Sequence, residues 1–169
     1  MKRLRLLLVV GVFAFGSTVH TSAQVIELPE IEVVATNYKY LNAMGEEVSI
    51  PVKTLQDAVA DFDLESAEFY QDEYQTYIVS FYIPEGRILA SYDGKGNLLR
   101  TAERFKNVNV PLAVKQAIGK RYPNWTITKD IYRVSYHSDR ADVKRQYKLV
   151  LENGDQRIRV KVDEEGEFL

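Results

Sequence analysis

Apolar residues recur at two different spacings along this chain. In residues 50–62, Val52, Leu55, Val59 and Phe62 fall three or four positions apart, which predicts a helix with one apolar face. Pro51 suits its first turn, where a missing N–H costs nothing. In residues 76–83 the period drops to two. Tyr77, Val79, Phe81 and Ile83 share one side of a predicted strand, with Thr76, Ile78, Ser80 and Tyr82 on the other. Pro84-Glu85-Gly86 turns the chain, and residues 87–92 return with Ile88, Ala90 and Tyr92 on a common face. The glycine-rich turn Asp93-Gly94-Lys95-Gly96-Asn97 leads into a third strand over residues 98–105. Residues 64–71 read as extended.

The same plan then repeats. Val110-Pro111 opens a second amphipathic helix, with Val114, Ala117, Ile118 and Tyr122 inward, and Pro123-Asn124 stops it. Residues 125–136 form a long strand, and residues 137–142 a polar loop. Residues 143–151 place Val143, Arg145, Tyr147, Leu149 and Leu151 on one face. After the turn Glu152-Asn153-Gly154-Asp155, Ile158, Val160 and Val162 point inward, and Asp163-Glu164-Glu165-Gly166 turns once more. Leu55-Gln56-Asp57-Ala58-Val59 corresponds to Val114-Lys115-Gln116-Ala117-Ile118. The run from Tyr92 to Leu99 corresponds to that from Val162 to Leu169, in the same order. This implies an internal duplication. Two unrelated helix-plus-hairpin segments are the other way to obtain such a match.

Upstream, residues 25–35 alternate apolar and acidic side chains, as in an edge strand or extended arm, and Pro29 suits an edge. Residues 37–49 are expected to hold the turn Asn42-Ala43-Met44-Gly45 between two short extended runs. Residues 1–23 have the physics of a secretory leader. Lys2, Arg3 and Arg5 precede an apolar stretch of about ten residues, too short for the roughly twenty a bilayer needs, and Thr21-Ser22-Ala23 supplies a cleavage site. The expected organisation is therefore a signal peptide at 1–23, an arm or edge strands at 24–49, and repeats at 50–108 and 109–169. The fold class is α+β, two tandem helix-plus-antiparallel-strand repeats forming one curved sheet with helices on one face. The mature chain is expected to be periplasmic or secreted, without stable membrane insertion.

Once the leader is removed, 19 Lys and Arg stand against 24 Asp and Glu, which argues against nucleic acid as a partner. The chain has no cysteine, so disulfides, thiol catalysis, cysteine metal sites and a lipidated N-terminus are all excluded.

The pattern Val110-Pro111-x-x-Val114-x-x-Ala117-Ile118-x-x-x-Tyr122-Pro123, with the ending Asp163-x-x-Gly166-x-Phe168-Leu169, resembles the PepSY-like, β-lactamase-inhibitor-like family of exported bacterial proteins. The resemblance covers residues 109–169 well and 50–105 less closely. It implies helices packed on one side of a long sheet whose other side is open. It also implies binding or inhibition rather than turnover, with no catalytic residues. The family's known inhibitors carry disulfides, a point on which this chain departs.

The residues themselves offer little to a catalyst. His137 is the one histidine after the leader, and no Gly-x-Ser-x-Gly elbow or phosphate-binding Gly-Lys-Ser/Thr occurs. Neither acidic turn has calcium-loop spacing. No catalytic residue, cofactor or metal site is expected. The remaining signal is the strand face turned away from the helices. Alternation sends Lys144, Gln146, Lys148 and Val150 outward, with Arg157, Arg159 and Lys161 beside them. Tyr82 shares this face, one of Tyr132 and Arg133 joins it, and Arg100 and Arg104 do so together. The candidate binding residues are Tyr82, Arg133, Lys148, Arg157, Arg159 and Lys161. They suit a protein partner in the cell envelope or an anionic envelope ligand. The same cations also serve to solvate an exposed sheet and discourage edge pairing, and the sequence leaves both readings open. An exported-hydrolase inhibitor, acting on a β-lactamase or peptidase, is the alternative function.

Overall fold

Six antiparallel strands pair strictly in chain order in the computed structural model, which describes residues 37–45, 48–140 and 142–169. They are β1 (Thr76–Ile83), β2 (Gly86–Asp93), β3 (Leu98–Lys106), β4 (Thr126–His137), β5 (Asp142–Asn153) and β6 (Gln156–Val162). Three helices accompany them: α1 (Tyr38–Met44), α2 (Ile50–Ala60) and α3 (Leu112–Arg121). The fold is α+β with an open sheet. The expected leader and the alternating arm at 25–35 lie outside the described residues.

Period-two patterning decides which face is buried. Ile88, Ala90 and Tyr92 of β2, Phe105 of β3, Tyr132, Val134 and Tyr136 of β4, Tyr147, Leu149 and Leu151 of β5, and Val160 and Val162 of β6 are all buried. They join one core with Val52, Leu55 and Val59 of α2 and Val114 and Ile118 of α3. Covering that face removes apolar side chains from water, each full burial contributing about 1.5–3 kcal/mol. α2 lies against β1 and β2, and the Tyr92 hydroxyl donates to the Val59 carbonyl at 2.8 Å. α3 closes on the turn that follows β6. A Cβ at Gly166 would fall 2.9 Å from the Ala117 Cβ and 3.0 Å from the Ala113 carbonyl oxygen, so only glycine allows the approach, and its φ of +92° has the same requirement. The Arg121 guanidinium then sits 4.4 Å over the Phe168 ring.

Three expectations are corrected. Residues 38–44 are helical, not two extended runs about a turn. The reason is tertiary. Tyr40 and Met44, four positions apart, are both buried. Asn37 Oδ1 accepts from the Leu98 N–H at 2.8 Å, and Arg145 Nη2 donates to the Ala43 and Met44 carbonyls at 2.8 and 3.2 Å. A seven-residue helix has too few internal bonds to persist alone; these contacts hold both its ends. Residues 64–71 form turns rather than an extended run, because Asp63 Oδ1 accepts from the N–H groups of Glu65 and Ser66. His137, expected in a loop, instead closes β4 opposite Asp142.

The turns after β2 and β6 are built alike. The Asp93 N–H donates to the Asn97 carbonyl and the Gly96 N–H to the Asp93 carbonyl, while Asp93 Oδ1 accepts from the Asn97 N–H. Asp163, Gly166 and Glu167 make the same three bonds. Burial alone would raise the Asp93 pKa, but bonds from the Asn97 side chain and from the Asn97 and Lys95 N–H groups outweigh it and hold the carboxyl below its ordinary value.

The buried face also contains a carboxyl group. Glu103 of β3 is 3% exposed. Its Oε1 accepts from the Tyr40 hydroxyl at 2.7 Å and the Thr101 hydroxyl at 2.8 Å, and its Oε2 from Gln56 Nε2 at 2.9 Å. Burial drives its pKa above the ordinary 4.5, against the opposing pull of those three donors and of the more distant Arg145. A carboxyl whose pKa is higher folded than unfolded binds its proton preferentially in the native state. Its contribution is complete below the unfolded value and declines as pH rises toward the folded one. Folding stability measured by denaturant titration should therefore fall across the range above pH 4.5, and Glu103→Gln should flatten that part of the profile. An unchanged profile in the variant would show that another group carries the dependence.

Candidate functional site

With the helices on one face, the strand residues of opposite parity make up the other. The registers assemble them into rows perpendicular to the strands. One row runs Tyr82, Arg87, Arg104, Arg133, Gln146 from β1 to β5, each residue directly paired with the next. Neighbouring strands lie about 4.8 Å apart, so the Arg87, Arg104 and Arg133 backbones are adjacent and their guanidinium groups share one region of solvent. Lys148 and Lys161 face each other across β5 and β6. Lys148 pairs with Ile131, two residues from Arg133 on the same side of β4. The cations thus form a diagonal stripe with one residue on each strand from β2 to β6.

Like charges directly opposite each other destabilise a sheet. Natural sheets compensate with cross-strand carboxylates, and this stripe has none: among the described residues, ion pairs join Lys53–Asp57, Arg140–Asp139, Arg145–Glu164 and Arg157–Glu152, and involve no stripe residue. The electrostatic effect is visible at Lys148. Partial burial, then the proximity of Arg133 and Lys161, hold its pKa below the ordinary lysine value.

Above the central rows lies an open concavity of about 690 Å³. Arg87, Arg104, Arg133 and Lys144 supply its cationic lining, and Leu89, Ala102 and Leu169 its apolar lining. Asp163, Glu164 and Glu165 bound it on the β6 side, where Glu164 is committed to Arg145 at 3.1 Å. A second concavity, about 750 Å³, opens in the helix layer over Tyr132 and Tyr147, whose rings stack at 4.7 Å. Burial raises both hydroxyl pKa values, that of Tyr147 to about 12. Two of its polar side chains, Arg145 and Glu164, are paired with each other.

The expected site residues divide into groups. Tyr82, 75% exposed, and Arg133 share the long row. Of the pair Tyr132 and Arg133, Arg133 is the outward member, since Tyr132 is buried against Phe105 and Tyr147. Lys148 and Lys161 form the directly opposed pair. Arg159 is exposed opposite Val150, one step further along β6. Arg157 lies apart near the β5–β6 turn, where Glu152 already neutralises it at 3.4 Å. Arg87 was not among the expected residues. Its signal was available, because Ile88 and Ala90 facing the core oblige Arg87 to face away.

No protein-family model matches the chain, and no curated protein matches it. Among solved structures, it is similar to a DUF2874-family protein from Bacteroides uniformis, with 12% identity, a TM-score of 0.35, and coverage of 56% of this chain and 68% of the other. It is also similar to a BLIP-like protein from Bacteroides fragilis, with 18% identity, a TM-score of 0.34, and coverage of 69% and 82%.

Arg104 repels a neighbour on each side, so its removal should relax the sheet. Arg104→Thr should raise the thermal midpoint by roughly 2–5 °C in low salt. The gain should shrink in 1 M salt, where the screening length is about 3 Å. A salt-independent gain would reflect strand propensity instead.

Proposed function

We propose that this chain is an exported, non-enzymatic binding module that takes up an acidic partner in the cell envelope on the sheet face opposite α1, α2 and α3. The observation that carries the reading is the register, which sets Arg87 beside Arg104, Arg104 beside Arg133, and Lys148 beside Lys161 without a carboxylate between them. Cations that only solvate a sheet have no need of direct opposition. Cations that await an anion gain from it, because one incoming carboxylate or phosphate relieves several repulsions together. Tyr82 and Leu89, both exposed, add aromatic and apolar area at the β1–β2 end of the same face.

The scaffold is read as a tandem duplication of a helix-plus-three-strand unit. Support comes from the element order α2-β1-β2-β3 followed by α3-β4-β5-β6, and from the shared hydrogen bonding of the two aspartate turns. Duplication doubles the sheet width and gives one unbroken face. The leader-like sequence at residues 1–23 supports export to the periplasm or beyond.

Affinity capture from an envelope extract tests this. The wild-type chain should retain a partner that the double variant Arg133→Glu, Lys161→Glu loses, with the thermal midpoint held or raised. Equal capture by both proteins would remove this face from consideration.

A second reading, inhibition of an exported hydrolase, is favoured by the mixture of exposed Ile78, Tyr82 and Leu89 with cations, a composition suited to a protein surface. Purified chain at micromolar excess should then slow at least one member of a panel of β-lactamases and periplasmic peptidases. A uniformly negative panel would sink the inhibitor reading and leave the binding module intact.

A further inference from the structure

The stripe has a direction, an extent and a mixed chemistry, and together these narrow the ligand. We infer that the sheet face opposite α1, α2 and α3 binds a short acidic stretch of polypeptide lying across the strands, with its carboxylates on Arg87, Arg104 and Arg133 in turn and its end toward Lys148 and Lys161. The inference rests on the reading of this face as the binding face and adds the class and orientation of what binds.

Three observations favour an acidic polypeptide over other anions. First, the cations step from strand to strand at about 4.8 Å. Acidic residues three or four apart on a helix recur every 5–6 Å, and alternate residues of an extended chain about every 6.7 Å. Arginine side chains are long enough to absorb either difference, so a peptide carboxylate can meet each guanidinium, with the two-point geometry that guanidinium groups offer carboxylates. Second, an apolar row flanks the arginine row. Leu89 pairs with Ala102 one step along from Arg87 and Arg104, and both line the same concavity. Apolar residues between the acids of a peptide can turn onto that row; a bare polyphosphate has nothing to put there. Third, the positive region is bounded. Asp163, Glu164 and Glu165 form its far wall, and the whole chain is net acidic at −2. A long polyanion extending past the stripe meets repulsion, whereas a short segment stays within it. The concave shape likewise disfavours a flat anionic membrane, which meets the rim before the central arginines.

The test uses the full chain and a fluorescent twelve-residue peptide in which glutamate alternates with leucine and tyrosine, with inorganic polyphosphate of equal charge as the competing chemistry. Anisotropy should report saturable peptide binding that weakens at least tenfold from 50 to 300 mM salt. Arg104→Glu should weaken it at least tenfold, and Arg133→Gln to a smaller extent. Lys53→Glu makes the same charge change as Arg104→Glu on exposed α2, and should leave affinity within twofold. Polyphosphate should displace the peptide only weakly. Loss of affinity in Lys53→Glu equal to that in Arg104→Glu would overturn the inference by reducing it to net charge. Polyphosphate binding tighter than the peptide would overturn it in favour of a phosphate ligand. If envelope capture depends on Arg133 and Lys161 while the peptide neither binds nor competes, the face stands and the acidic segment falls. If capture is indifferent to those residues, the face itself falls.

Discussion

One buried carboxyl group joins the layers of this protein. Glu103 lies on the covered face of the sheet and accepts hydrogen bonds from α1, α2 and its own strand, through Tyr40, Gln56 and Thr101. Leaving a polar group unpaired in that environment costs several kcal/mol at most and about 1–3 in typical cases. The two helices therefore settle where their donors reach one pair of oxygens. Hydrophobic contact alone would let α1 and α2 slide on the core; the carboxyl specifies their position. The position has a consequence on the opposite side. Among the described residues the helices lie on one face only, and strand alternation turns the charged rows toward the other.

Alternation links the two faces. Each residue that fills the core obliges its neighbours to face solvent, so the β3–β4 register that sets Phe105 against Tyr132 also brings Arg104 beside Arg133. The chain accepts electrostatic repulsion on the open side in exchange for a concentrated positive field.

Much of this was legible in the sequence. The strands, the two longer helices and the sorting of Ile88, Tyr147 and Leu149 from Lys148 and Lys161 follow from period and turn residues alone. What escaped depends on partners distant in the chain. Tyr38–Met44 has the length of a turn, and its helicity depends on Leu98 and Arg145. The turns at 64–71 come from a single aspartate side chain bonding backbone, which a hydrophobic pattern does not register. The cations were legible as facing outward but not as neighbours, because alternation fixes a face while only pairing fixes adjacency. Thus Arg157 looked equivalent to Lys161 until the register placed Glu152 opposite it.

The strictly sequential strand order makes most pairings local, closed by short reversals, which favours rapid zippering from hairpin to hairpin. α1 is the exception. The bond from Arg145 to the Ala43 carbonyl spans 102 positions, so α1 waits for β5 before its final turn is satisfied. Synthesis therefore produces α1 early and docks it late. Until then the Tyr40 hydroxyl has only water as a partner and the Glu103 carboxyl lacks one of its three donors, and the step that seats this short helix also completes that set.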